Sequence, residues 1–241
     1  MSERIIAIIP LRGSDREAQT GPDALLCGKP AIAYTIEAAK QAACLDRIIV
    51  STDSDAVAEL ARRYGAEAPF IRPAALASAT ASLTAVLQHA VEWLDREEGY
   101  TADIVVLLEA THPIRPAGLI DSVVETLRSE ELDTVFTARE ERHRFWRTVD
   151  GALAPVQAEG DRPRDQSQPT YKELAGMATA IQASVIRRGE RLGERVGLVP
   201  VHGPATAVDL HDEDGWWLAS HLLAAEQAGS PMRERSGQEE G

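Results

Sequence analysis

Leu11, Arg12, Gly13, Ser14 and Arg16 follow directly on the apolar run Ile5–Pro10. A buried strand that stops at a Gly/Ser/Arg turn and feeds a helix presents backbone N–H groups and cationic side chains together, an arrangement suited to holding phosphate. The run Asp103–Leu108 ends in the same manner, in Glu109, Thr111 and Arg115. Asp209 and His211 stand just before the last helical pattern. An Asp-x-His pair can hold a divalent ion, although Mg²⁺ prefers oxygen ligands.

These residues need elements to position them. Ile5–Pro10, Arg47–Ser51, Asp103–Leu108 and Asp133–Thr137 are short apolar runs that read as buried strands. Ala31–Ala43 and Ala81–Arg96 carry apolar residues at helical spacing. Ser54 or Asp53 caps a helix that runs to Tyr64 and stops at Gly65. Pro116 suits the first turn of a helix that turns Leu119, Ile120, Val123, Val124 and Leu127 inward. Strands alternating with helices predict a mostly parallel sheet covered on both faces, with ligands beyond the carboxyl ends of the strands. From Arg139 the pattern breaks. Gly151–Tyr171 shows no periodicity, Ala178–Ile186 and Arg195–Val201 read as strands, and Asp212–Glu226 reads as a helix. Residues 1–228 form the domain, with an excursion over about 139–173, and 229–241 read as a polar, disordered tail.

Composition narrows the function. The 241 residues carry 25 Lys+Arg against 38 Asp+Glu, a net charge of −13, which excludes a basic nucleic-acid footprint. An anionic substrate therefore needs a local cluster of cations. There is no apolar run of membrane-spanning length, and two cysteines without metal-ligand spacing fit a reduced cytoplasmic compartment.

Several ordered segments resemble the cytidylyltransferases that make CMP-activated nonulosonic acids, the CMP-sialic acid synthetase family. They are Pro10–Gly13, Gly28–Ile36, Asp46–Asp53, Ile71–Ala77 with Thr80–Ser82, Leu107–Arg115 and Val208–Leu210. The resemblance implies a Rossmann-like, glycosyltransferase-A-like nucleotidyltransferase fold with a protruding dimerisation arm. It implies transfer of CMP from CTP to an acidic keto-sugar, with release of pyrophosphate and assistance by Mg²⁺ or Mn²⁺, in a homodimer.

Carried over position by position, the resemblance makes Arg12, Arg16 and Asp209 catalytic. It assigns nucleotide contacts to Leu11, Arg12, Gly13, Ser14, Arg16, Thr80, Ala81 and Ser82, sugar contacts to Glu109, Thr111, Arg115 and Tyr171, and the metal to Asp209 and His211. Each has a plainer reading as well: Ser82 as a helix start, Arg115 as a local structural cap, Glu109 as a solvated strand end.

The chain departs from the family pattern in four places. Arg16 replaces a lysine, and Ala18-Gln19-Thr20-Gly21-Pro22-Asp23 replaces a basic, amide-bearing stretch. Glu109 replaces a glutamine that touches the sugar, which favours a donor-rich or amino substituent on the acceptor. His211 replaces an aspartate. Three readings follow: a cytidylyltransferase for an unusual sugar acid, a nucleotidyltransferase for another nucleotide or acceptor, and a non-catalytic homologue that binds nucleotide.

Overall fold

In a computed structural model of the chain, residues 3–13, 24–78, 80–156 and 168–228 are described. The expectations placed on Ser14, Arg16, the 17–23 stretch and the 229–241 tail lie outside those residues.

Strand β1 (Ile5–Pro10) lies inside the main sheet because both of its faces are apolar. Ile5, Ala7 and Ile9 pack on one side with α1 (Ala31–Gln41), α2 (Asp55–Tyr64) and α4 (Leu119–Ser129). Ile6 and Ile8 pack on the other with α3 (Leu83–Glu98) and the short α5 (Ala183–Arg187). Alternation of side chains across the strand forces this division. Each fully buried isoleucine contributes about 1.5–3 kcal/mol.

The sheet is mixed. β1 is flanked in parallel by β4 (Arg47–Ser51) and β5 (Ile104–Leu107). Beyond β5, β10 (Thr179–Gln182) runs antiparallel between β5 and β6 (Thr134–Glu141), and β11 (Val196–Pro200) lies parallel to β6. The order is β11-β6-β10-β5-β1-β4, with β9 (Thr170–Glu173) antiparallel to the far end of β6. The carboxyl ends of β1 and β5 therefore open side by side on one rim.

Local chemistry fixes the element ends. The Ser54 hydroxyl accepts from the Val57 N–H, and Gly65 closes α2 in the left-handed region at φ 94°. The Asp212 carboxylate accepts from the Gly215 N–H at 2.7 Å and starts α6 (Glu213–Gln227). Helix α6 packs Trp216, Ala219 and Leu223 against Leu26, Ile114, Val208 and Leu210, which seats the late loop on the body.

Three expectations change. Pro116 stands before α4, accepting from the Leu119 N–H, and does not lie in its first turn. Ala178–Ile186 is not one strand. The Ala183 N–H turns to the Asp103 carbonyl, and the chain enters α5, burying Val185 and Ile186 in the cluster with α3. The stretch without periodicity holds regular structure: β7 (Trp146–Val149) and β8 (Ala152–Pro155) form a hairpin, and β9 follows. Asp150 (φ 50°) and Gly151 (φ 80°) make its two-residue turn, a strong hairpin signal in the sequence. Trp146, Val149 and Leu153 remain exposed on this hairpin. Two further short strands, β2 (Leu25–Leu26) and β3 (Lys29–Pro30), lead into α1.

Candidate active site

A cleft of about 280 Å³ opens where β1 and β5 end. Leu11, Arg12, Arg72, Ser78 and Ala81 line one side, and Glu109, Thr111 and His211 the other. Residues spread over two hundred positions thus meet in one place, as the strand-end rule requires.

The phosphate-loop side is built from the ends of β1 and β4. The Leu11 N–H donates to the Ser51 carbonyl (3.0 Å), and the Gly13 N–H donates to Asp53 Oδ1 (2.8 Å). Arg72 is almost fully buried. Its Nη2 lies 3.4 Å from the Leu11 carbonyl and 3.8 Å from Asp53 Oδ1, and its backbone N–H donates to the Thr52 carbonyl. A rigid cation at the base of the loop is useful, because charge that builds on a phosphoryl group must be met by groups already in place. Arg72 was not singled out in the sequence, although it sits inside the Ile71–Ala77 segment. Its near-complete burial is what distinguishes it from a surface arginine.

Of the expected nucleotide contacts, Leu11, Arg12 and Ala81 line the cleft, whereas Ser82 does not. The Ser82 hydroxyl accepts from the Ala85 N–H at 3.2 Å as the N-cap of α3, so its plain role explains its identity. Thr80 is exposed, and its hydroxyl lies 3.2 Å from that of Ser78, which does line the cleft.

Arg115 requires correction as a sugar contact. Its Nε donates to the Met177 carbonyl (2.6 Å) and its Nη1 to Thr35 Oγ1 (2.8 Å). Its Nη2 donates to the carbonyls of Glu109 (2.6 Å) and Gly176 (3.0 Å). Burial pushes its pKa down, and four protein acceptors hold the guanidinium in the interior. Arg115 thereby fastens the end of β5 to the loop before β10.

Glu109 stays on the cleft side of this fastening. Its N–H donates to the Gly176 carbonyl at 2.8 Å, and its carboxylate receives the Thr111 hydroxyl at 3.4 Å. Burial raises its pKa, with Asp209 adding in the same direction, while His211 and Arg191 oppose. His112, another residue not singled out, is buried beside it, with Nδ1 3.2 Å from Thr111 Oγ1. Burial first, then Arg115, pushes His112 down to about 4, so the imidazole is neutral near pH 7. A Cβ on Gly176 would stand 2.7 Å from both Glu109 Oε2 and His112 Nδ1, so this close approach requires glycine.

Tyr171 does not line the cleft and is 42% exposed. It pairs with Glu140 on the far part of β6, and side chains alternate along β9, so its neighbour Lys172 faces the opposite way. It is the charge of Lys172 that reaches His112, as that of Arg191 reaches Glu109. Lys172 was missed although it stands between Tyr171 and Glu173, which resemble the family's Y-x-E, and Arg191 lies outside the segments that carry the resemblance.

The late loop is tied to β5. The Leu210 N–H donates to the Thr111 carbonyl at 2.9 Å, and Trp216 Nε1 donates to the Leu210 carbonyl at 3.0 Å. A Cβ on Gly215 would stand 1.6 Å from the Asp209 carbonyl oxygen, so α6 begins directly on the loop's backbone. His211 Nδ1 lies 2.5 Å from Asp209 Oδ1, and the His211 N–H also donates to that oxygen (3.2 Å). This geometry makes His211 a hydrogen-bond partner of Asp209 through Nδ1 and leaves the second carboxylate oxygen of Asp209 outside those bonds. Among the described residues no three His, Cys, Asp or Glu groups cluster to hold a metal by themselves. Asp209 nonetheless fits Mg²⁺, which is commonly held by one or two carboxylates together with substrate phosphates.

Comparison with known proteins gives this cleft a chemical class. Residues 6–160 match a family described as cytidylyltransferase. A CMP-N,N'-diacetyllegionaminic acid synthase of Legionella pneumophila is 28% identical over 230 residues, covering 93% of this chain and 98% of that protein. A pseudaminic acid cytidylyltransferase of Campylobacter jejuni is 34% identical over 135 residues, 56% of this chain and 58% of its own length. Among solved structures, a CMP-2-keto-3-deoxy-manno-octonic acid synthetase complexed with CTP superposes with a TM-score of 0.68 at 17% identity, over 93% of this chain and all of that one. That structural likeness supports the nucleotidyltransferase fold expected from the sequence. Taken with the match over residues 6–160, these findings show that the chain belongs to the cytidylyltransferase family.

Proposed function

We propose that the protein transfers CMP from CTP to an acidic keto-sugar of the nonulosonic acid class and releases pyrophosphate. The observation that carries this reading is the cleft itself. In a cytidylyltransferase, it joins the phosphate-loop residues Leu11 and Arg12 and the buried Arg72 to the polar wall of Glu109, Thr111 and His211. The near-full-length similarity to a synthase of the same acid class supports the acceptor assignment.

The acceptor hydroxyl attacks the α-phosphorus of CTP and loses its proton to solvent, the bond to the β-phosphate oxygen breaks, and pyrophosphate departs with the electron pair. Arg12 and Arg72 face the charge that develops on the phosphates. Asp209 would hold Mg²⁺ or Mn²⁺, which would supply positive charge to offset that of the phosphates. His211 fixes the orientation of the Asp209 carboxylate through Oδ1.

The protein works as a homodimer in the cytoplasm under this reading. Support for the first is the exposed apolar hairpin, with Leu153 at 73% and Trp146 at 57% exposure. For the second it is the use of a nucleoside triphosphate and two free cysteines, Cys27 and Cys44. Among the described residues no helix is long and apolar enough to cross a membrane.

Pyrophosphate release with CTP, Mg²⁺ and a panel of nonulosonic acids tests the reading. Release that depends on both CTP and a sugar acid is expected. CTP binding with no release for any acid would mark a nucleotide-binding homologue instead.

A further inference from the structure

Glu109 is a half-buried acid in the wall of the cleft with no ion-pair partner among the described residues. Arg115, which touches the Glu109 backbone, spends its donors on the Glu109 carbonyl and three other acceptors. Among the described residues the carboxylate itself receives only the long contact from Thr111. A carboxylate partly withdrawn from water with so little hydrogen bonding gains when a ligand donor completes it.

The residue is also held rigidly. Its carbonyl accepts from Arg115 and from Thr35 Oγ1 (3.3 Å), its N–H is bonded to Gly176, and its side chain lies against the Gly176 backbone. His112 beside it is neutral near pH 7 and supplies no compensating charge. The acid therefore waits in one position, which is how a recognition group gains from a ligand without an ordering cost.

An ionised carboxylate only accepts hydrogen bonds, so it repels a ligand carboxylate or phosphate and discriminates in favour of donors. Arg12 and Arg72, the cations that line the loop side of the cleft, suit the anionic groups of the substrates. We propose that Glu109 is the specificity residue for a protonated amine on the acceptor, so that the preferred substrate is an amino-bearing sugar acid. The inference rests on the cytidylyltransfer reading and names the substrate class within it.

The test uses acids that differ in one group: N-acetylneuraminate and its 4-, 7- and 9-amino-deoxy derivatives, each amine paired with its N-acetyl form. Pyrophosphate release gives kcat/KM for every acid, and calorimetry with CTP and Mg²⁺ present gives acceptor binding. A charge-assisted hydrogen bond corresponds to a preference of about 10- to 100-fold for one amine over its N-acetyl form. The variant Glu109→Gln should remove that preference, chiefly through KM for the amine.

Equal turnover of amine and N-acetyl forms by the wild type overturns the inference and leaves the cytidylyltransfer reading standing. So does an unchanged preference in Glu109→Gln. Absence of both release and binding for every acid overturns the two together. The wild-type comparison is decisive even if the variant folds poorly.

Discussion

Arg115 grips the backbone carbonyl of Glu109 at 2.6 Å and leaves the Glu109 carboxylate to the cleft. One arginine thus orders a residue whose charge it does not neutralise by direct contact. The same guanidinium holds the carbonyls of Gly176 and Met177 and the hydroxyl of Thr35, so the strand-end platform depends on a single interior group.

Removing that group should be felt as instability. Arg115→Ala leaves three carbonyls without their charged donor, and a loss of about 3 kcal/mol or more is expected. Arg115→Lys should recover little, because one ammonium cannot reproduce a planar fork that serves four acceptors. Urea denaturation followed by circular dichroism checks both, and a lysine variant of wild-type stability would contradict the assignment.

Gly176→Ala probes the site more finely. The added Cβ meets Glu109 Oε2 and His112 Nδ1 at 2.7 Å and Glu109 Cβ at 2.9 Å, so the acid and the imidazole must move. Overpacking of this kind costs about 1–3 kcal/mol in stability. The larger effect is expected on kcat/KM for the acceptor, with the KM for CTP nearly unchanged. Steady-state kinetics with each substrate varied in turn will separate the two.

His112 gives the fold a pH dependence whose sign is fixed. Its folded pKa lies near 4, below the ordinary value of 6.5. Between those values the unfolded chain binds a proton that the native state does not, so stability falls as pH drops from 6.5 toward 4 and levels off below. Glu109, raised by burial, contributes with the opposite sign: its stabilisation is present below its ordinary value and is lost as pH rises through its raised one. The His112 contribution is therefore lost between pH 7 and pH 5, and His112→Ser should remove that part of the change. Denaturation midpoints at the two pH values decide the matter, and identical slopes in the two proteins would remove His112 from the account.

The β7–β8 hairpin offers a separate test. Replacing Trp146 and Leu153 together by Asp places charge on its exposed apolar residues. If the hairpin joins two copies, sedimentation velocity should show a shift from dimer to monomer while circular dichroism stays native. A wild-type protein that sediments as a monomer would dismiss the dimer.

Much of the fold was readable because its signals are local. Ile5–Pro10 and Arg47–Ser51 are apolar runs of strand length, and Ser54 and Gly65 mark α2 by their capping chemistry. The boundary between β10 and α5 was not readable. Ala178–Ile186 is mostly apolar, and periodicity cannot separate a short buried strand from a buried turn of helix. Within the site, Arg12 and Glu109 were visible as polar residues closing apolar runs. Arg115 was visible as well, but its direction was not, since an arginine after a strand can turn outward to a ligand or inward to carbonyls. Only the positions of Met177, Gly176 and Thr35 decide between them. Lys172 and Arg191 act across space, which their neighbours in the sequence do not reveal.

The hydrogen bond from the Leu210 N–H to the Thr111 carbonyl makes the tip of β5 and the late loop a single mechanical piece. Positions 109 and 211, a hundred residues apart in the chain, therefore stand on one connected support. Relative to the family pattern, a negative charge has arrived at the first and departed from the second, which leaves their sum unchanged. Attempts to retarget this enzyme by changing either position alone will unbalance the pair. A library that recodes Glu109 and His211 jointly explores the sequences this architecture tolerates.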